Sequence, residues 1–172
     1  MNADRLQWHA RLAIGVTSVD DGHVELVELY NRIADACEEG EPTSYVRERI
    51  RSFLVYARWH FADEEQHMKG VKYPQFLEHK AYHDRLLQDA QDFVQNLGGP
   101  LRGEDSVAVA KYFKHWLSHH MAGPDQKLSE FIAGSGGRLQ PATVSPKHEP
   151  RSVSSDESLE VSSIDKAVTS DA

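Results

Sequence analysis

The chain has 172 residues, 40% hydrophobic and 27% charged, with a formal net charge of -8. That length suffices for one domain with a buried core. The acidic balance argues against nucleic acid as a partner, and no apolar run approaches the ~20 residues of a membrane span. The single Cys37 excludes an internal disulfide and fits a reducing compartment.

The N-terminal stretch MNADRLQWHARLAIG has no basic start followed by an apolar run. No signal peptide is expected, and a cytoplasmic location is the default. Trp8 and Ile14 mark the stretch as an extended arm packed on the rest of the domain. A first helix is expected over residues 19–39, capped by Thr17 or Ser18, with Asp20 and Asp21 at its positive end. Gly40-Glu41-Pro42 ends it. A second helix is expected from Thr43 or Ser44 to Lys69, stopped by Gly70. The third opens at Pro74, a good first-turn residue, and runs to Leu97 before Gly98-Gly99-Pro100. The fourth covers residues 104–122, with Gly123-Pro124 as its stop, and a short last helix covers 125–132. Connections this short predict an all-α, antiparallel up-down-up-down four-helix bundle. From Gly134 to Ala172 the chain is rich in Ser, Gly and Pro and has no aromatic residue. Such a segment cannot bury enough surface to offset its ordering entropy. The expected organisation is a helical domain over residues 1–133 and a disordered tail over 134–172.

At 100° per residue, each helix shows one apolar face. Val19, Leu26, Val27, Tyr30, Ala34 and Cys37 define the first, and His23 lies in it. Ile50, Phe53, Ala57, Phe61 and Met68 define the second, with His60 and Glu64 inside it. Phe76, Leu86, Ala90, Val94 and Leu97 define the third, with His79 and His83. Val109, Phe113, Trp116 and Leu117 define the fourth, with His120. A single histidine on an apolar face is ordinarily a satisfied core residue. Five of them on four helices, together with Glu64, are costly to bury unless something binds them.

The remaining polar candidates divide. His115 and His119 have the spacing of a metal clip but fall opposite Trp116 and His120, and are expected in solvent. His9 and His148 belong to the arm and the tail. His67, seven residues after His60, projects near the ligand face as a core residue, an outer partner or an alternative ligand, and a non-ligand role is favoured. Glu65 points about 100° from Glu64 and is expected in solvent. Asp125 follows Gly-Pro, where helical period no longer fixes its direction, so an N-cap role for the last helix competes with a ligand role. Cys37 is expected to be a small core residue.

Imidazole and carboxylate suit Fe, Zn, Mn or Co, and the absence of thiolate argues against a structural zinc site or an iron–sulfur cluster. Seven ligands are too many for one ion. Two ions bridged by both carboxylates use them well, with the histidines divided three and two. One ion would then keep an open position beside Phe61, Trp116 and Leu117, which suits a small neutral ligand such as dioxygen.

Over about residues 5–133 the chain resembles the hemerythrin family, specifically the bacterial hemerythrins. The resemblance rests on Trp8, Val19-Asp20-Asp21-Gly22-His23, His60-Phe61-Ala62-Asp63-Glu64-Glu65 with Met68, and Tyr73-Pro74 followed by His79 and His83. It continues through Trp116-Leu117-Ser118-His119-His120 and Asp125-Gln126-Lys127-Leu128. It implies a non-heme pair of iron ions, bridged by carboxylates and an oxo or hydroxo group. By position, His79, His83 and His120 would hold one iron, His23 and His60 the other, and Glu64 and Asp125 would bridge. The implied function is reversible dioxygen binding for carriage, storage or delivery, rather than an enzymatic one. His67 stands where the family is expected to have an apolar residue, and His119 leaves a one-residue register alternative to His120. Competing functions are an oxygen or redox sensor acting on an unidentified protein partner through the tail, a di-iron enzyme consuming peroxide or nitric oxide, and iron storage.

Overall fold

The structure, a computed structural model, describes residues 5–134. The tail expected from residue 134 onward lies outside the described residues, apart from Gly134 itself, which closes the last helix. The elements are a 3-10 turn Ala10–Leu12, then α1 Thr17–Glu38, α2 Thr43–Gly70, α3 Phe76–Asn96, α4 Glu104–Ala122 and α5 Pro124–Gly134. α1 packs along α2 and α4, α2 along α3, and α5 folds back on α4. This is the four-helix bundle expected from the punctuation. None of the described helices is long and apolar enough to cross a membrane.

The helix ends differ from expectation in instructive ways. Thr17 and Ser18 do not cap α1; its N-cap is Val16, with no side-chain cap. Asp20 acts instead by accepting hydrogen bonds from the backbone N–H of Ile14 at 2.8 Å and of Gly15 at 3.2 Å. The carboxylate therefore ties the arm to the first turn, and Ile14 is 2% exposed beneath it. Thr43 likewise caps nothing. Its hydroxyl accepts from the Leu101 N–H at 2.7 Å and fastens the α3–α4 connection to the start of α2. Pro74 sits in a turn, and α3 begins two residues later.

Gly70 does not stop α2 either. The helix runs through it, and the left-handed residue is Lys72, at φ 54°. Tyr73 N–H then reaches back to the Met68 carbonyl at 2.9 Å, closing a Schellman turn. The same turn after α1 uses Gly40, at φ 71°, with Glu41 N–H on the Ala36 carbonyl. A left-handed turn costs a residue with a Cβ about 1–2 kcal/mol, and Lys72 meets that cost because the turn delivers Tyr73, 6% exposed, into the core.

The buried apolar residues form two clusters. The larger runs from Leu26 on α1 through Phe53, Phe61, Phe113 and Trp116 to Met121. The smaller gathers Ile14, Val16, Val19, Met68, Tyr73, Leu128 and Ile132 at the other end. Three helix faces are buried as expected. α3 is the exception, because Phe76, Leu86, Val94 and Leu97 are only partly buried; among its residues His79, His83 and Ala90 alone are fully enclosed. Cys37 is buried, and burial pushes its thiol up to about 11.

Lys72→Gly is expected to raise stability by up to about 1 kcal/mol, because it relieves the left-handed penalty and gives back part of the gain as unfolded-state entropy. A higher urea midpoint with an unchanged denaturant slope is the measurement that checks it; a lower midpoint would show that the Lys72 side chain itself contributes.

Candidate metal centre

A layer of polar side chains separates the two apolar clusters. On α1 it lies between Val19 and Leu26, on α2 between Ala57 and Met68, and at the α4–α5 corner between Leu117 and Leu128. The layer consists of His23 from α1, His60 and Glu64 from α2, His79 and His83 from α3, His120 from α4 and Asp125 from α5. His79 is 4% exposed, His83 1%, and the other five 0%. All seven expected ligands are thus brought together.

Each carboxylate faces several imidazoles. Asp125 Oδ2 lies 3.1 Å from His23 Nε2 and 3.3 Å from His120 Nε2, and its Oδ1 lies 3.2 Å from His79 Nε2. Glu64 Oε1 lies 3.3 Å from His79 Nε2. Glu64 Oε2 lies 3.5 Å from His83 Nε2, 3.9 Å from His120 Nε2 and 4.0 Å from His60 Nε2. These approaches are not hydrogen bonds. The four carboxylate oxygens and all five Nε2 atoms are buried with no hydrogen-bond partner among the described residues. They converge end-on upon one another, as donor atoms do around cations. Two groups of four have all their donor atoms within 4.8 Å of one another: His23, His60, Glu64 and His120, and His79, His83, His120 and Asp125.

Electrostatics point the same way. Burial drives His60 well below the ordinary imidazole range, with His23 and His120 adding to the effect, and drives His83 down as well. Burial also lowers His120, to about 4, against the pull of Asp125. These rings are neutral near pH 7 and offer lone pairs rather than charge. Burial and the facing Asp125 raise Glu64 well above the carboxylate range. Burial would raise Asp125 too, but His120, His23 and His79 hold it well below. Two carboxylates compete here for one charge, which is the environment a polycation relieves.

Local geometry explains the convergence. Gly22 makes room for His60: a Cβ at position 22 would fall well inside van der Waals contact with His60 Nδ1. Gly123 makes the corner between α4 and α5, where a Cβ would lie 2.8 Å from the His119 carbonyl. Pro124 then opens α5 with a helical φ already set, and Asp125, in the first turn, is returned to the face of His120. Asp125 is therefore a fully buried member of the cluster rather than an exposed cap. His120 is buried in the layer and His119 is exposed, so the fold brings His120 and not His119 to the cluster.

The other candidates fall outside the layer. His115, His119 and His9 are exposed, and His148 lies outside the described residues. His67 turns to the surface, where its Nε2 meets Ser18 Oγ at 3.0 Å and Asp63 Oδ2 at 3.6 Å; it neither joins the cluster nor makes its apolar wall more polar. Glu65 is not in solvent as expected. Its side chain is 14% exposed, and its Oε1 accepts a hydrogen bond from His83 Nδ1 at 3.3 Å. Gly22 and Glu65 are the site residues that period alone does not reveal. A glycine inside a helix beside a candidate ligand is the signal for the first; for the second, the only hint is its place next to Glu64.

The walls toward the larger cluster are apolar. Phe61 stacks on His83 with centroids 3.9 Å apart and planes at 4°, and lies 5.7 Å from Trp116. Trp116 donates its indole N–H to the Leu86 carbonyl at 2.9 Å, so it presents carbon to the site. Leu117 is fully buried beside them. Trp8 of the arm packs 5.5 Å from His23.

Comparison with known proteins agrees with this geometry. The family model described as the hemerythrin HHE cation binding domain matches residues 14–132. A bacteriohemerythrin of Stenotrophomonas maltophilia is 28% identical over 128 residues, covering 74% of this chain and 81% of that protein. A myohemerythrin of Theromyzon tessulatum is 28% identical over 123 residues, covering 70% and 88%. A crystal structure of a hemerythrin mutant superposes with a TM-score of 0.57 at 22% identity, over 72% of this chain and 97% of that one.

In an ordinary helix interior, Gly→Ala stabilises by about 1 kcal/mol. Gly22→Ala is expected to do the opposite here, lowering the melting temperature and the iron retained per chain, because it displaces the His60 ring. A Gly22→Ala protein that melts higher and keeps its metal would refute the role given to this glycine.

Proposed function

The chain belongs to the hemerythrin family, whose domain holds two irons, and on that premise we propose that it binds dioxygen reversibly at such a pair, for carriage, storage or delivery. The observation that carries this reading is the seven-residue layer whose four carboxylate oxygens and five Nε2 atoms are buried with no hydrogen-bond partner among the described residues. In this proposal His79, His83 and His120 hold one iron, His23 and His60 hold the other, and Glu64 and Asp125 bridge. The distances support the bridging roles of the two carboxylates, while His120 belongs to both four-residue groups of donor atoms. Glu64 approaches His60 of one set and His79, His83 and His120 of the other; Asp125 approaches His23 of one set and His79 and His120 of the other. A carboxylate that faces both sets is placed to bridge.

When bound, the iron pair supplies the electrons that reversible capture of dioxygen requires. The protein supplies the surroundings. Phe61, Trp116 and Leu117 form the proposed gas pocket and exclude water and protons from it, which is what keeps capture reversible. The indole N–H of Trp116, already bonded to Leu86, cannot donate into that pocket. Five imidazoles and only two carboxylates give a ligand set suited to binding rather than oxygenation, an analogy drawn at the level of the family.

The test uses the purified, iron-loaded chain. It should hold two irons, and after anaerobic reduction it should gain a visible absorption band on exposure to air that is lost again under argon. His120→Ala should lose iron and the band; His119→Ala should keep both. One iron or none per chain, or loss of the band in His119→Ala instead, would overturn the assignment, and sustained oxygen or peroxide consumption with a reductant would replace a carrier by an enzyme.

A further inference from the structure

His83 has its two ring nitrogens faced by two consecutive glutamates of α2. Its Nε2 points to Glu64, 3.5 Å away, and its Nδ1 hydrogen-bonds to Glu65 at 3.3 Å. Successive residues on a helix project about 100° apart, so Glu64 reaches inward while Glu65 passes along the side of α3. Among the described residues, every other ring nitrogen of the five histidines lacks a hydrogen bond. Phe61, stacked on the His83 ring, leaves it little freedom to turn. The Glu65 oxygen that accepts the His83 hydrogen bond also lies 3.8 Å from Lys80 Nζ, and that ammonium is bound to Asp84 at 2.8 Å.

We propose that Glu65 is a positioning residue for the metal centre: it holds His83 as the Nδ1–H tautomer, with the Nε2 lone pair turned to iron, and strengthens that one ligand as a donor. The inference rests on His83 being an iron ligand. A neutral imidazole carries one proton, so an acceptor at Nδ1 leaves the lone pair at Nε2. A carboxylate in that position fixes ring orientation and raises ligand basicity, and losing such a partner typically costs ~10–100-fold in metal affinity. Negative charge behind the ligand favours the more highly charged state of iron and lowers the reduction potential of the pair. Lys80 draws on the same oxygen and tempers the effect. Glu65 thus makes one ligand of the three-histidine iron electronically unlike its neighbours, through a group that solvent can still reach.

The experiment compares iron-loaded Glu65→Gln, Glu65→Ala and Lys80→Met with the parent chain, reading the midpoint potential and the rate of iron release to a ferrous chelator, with His83→Ala alongside. Glu65→Ala should release iron ~10-fold faster or more. Glu65→Gln, which keeps an acceptor but loses the charge, should retain both irons and shift the potential upward. Lys80→Met should shift it downward. Opposite shifts in these two variants are not expected of a residue that merely helps α2 and α3 to pack. Unchanged potentials and release rates in the Glu65 variants, with iron lost in His83→Ala, would overturn this inference alone. Both irons retained in His83→Ala would overturn the ligand assignment and the inference with it.

Discussion

Seven polar side chains sealed from water without hydrogen bonds to one another are the constraint around which this bundle is arranged. A buried polar group left unsatisfied costs about 1–3 kcal/mol, and more if charged. Seven such residues would consume a sum comparable with the roughly 5–15 kcal/mol that separates a folded domain from its unfolded state. An apolar layer at the same level would be far cheaper. The arrangement is sustainable because converging imidazoles and carboxylates make a strong site for two cations, and coordination then offsets what burial costs. The large apolar cluster on one side and the small one on the other hold the layer in place and keep it dry.

Much of this could be read from the chain. His60 with Glu64, and His79 with His83, are spaced one turn apart on faces that are otherwise apolar, and hydrophobic period places such residues well. His23 and His120 follow for the same reason. Period fails where the deciding contact is between elements or depends on a turn. Asp125 lies beyond Gly123-Pro124, and only the corner those two residues build returns it to His120. Glu65 projects off the ligand face of its own helix, yet α3 passes near enough to bring His83 Nδ1 against it. Gly70 looks like a helix stop, but the left-handed position falls two residues later on Lys72, where the need to bury Tyr73 overrides residue preference. Asp20 and Thr43 show the same pattern at helix starts: both are used to fasten another segment rather than to cap.

The walls of the site carry as much of the proposed chemistry as its ligands. A small neutral gas gains little from polar contacts, so discrimination against water must come from the absence of donors and acceptors. Phe61, Trp116 and Leu117 provide that absence. Trp116 can do so only because its N–H is committed to the Leu86 carbonyl of α3. The arm covers His23, where Trp8 lies against its ring and Asn31 clasps Leu6 through both its backbone N–H and its carbonyl at 3.0 Å. Arg5 paired with Asp35 secures the same stretch of chain. The arm is therefore part of the centre's enclosure, although it contributes no proposed ligand.

α3 shows how far fold and site depend on each other. Its apolar side chains are mostly half-exposed, and the residues it encloses fully are Ala90 and the two histidines. A helix that buries so little hydrocarbon is weakly held by the hydrophobic effect, which scales with the area removed from water. What holds its first half to the bundle is the bond from His83 to Glu65 and the Phe61 ring stacked on His83, while His79 and His83 face Glu64 and Asp125. With the proposed ligand set, iron joins α3 to α2, α4 and α5 through the same atoms that hold the metal. Binding free energy at such a centre is also folding free energy. The helix that donates two ligands and receives Phe61 and Trp116 against its inner face is thus the one whose position the metal does most to fix. The shape of the proposed gas pocket and the occupancy of the centre are set together.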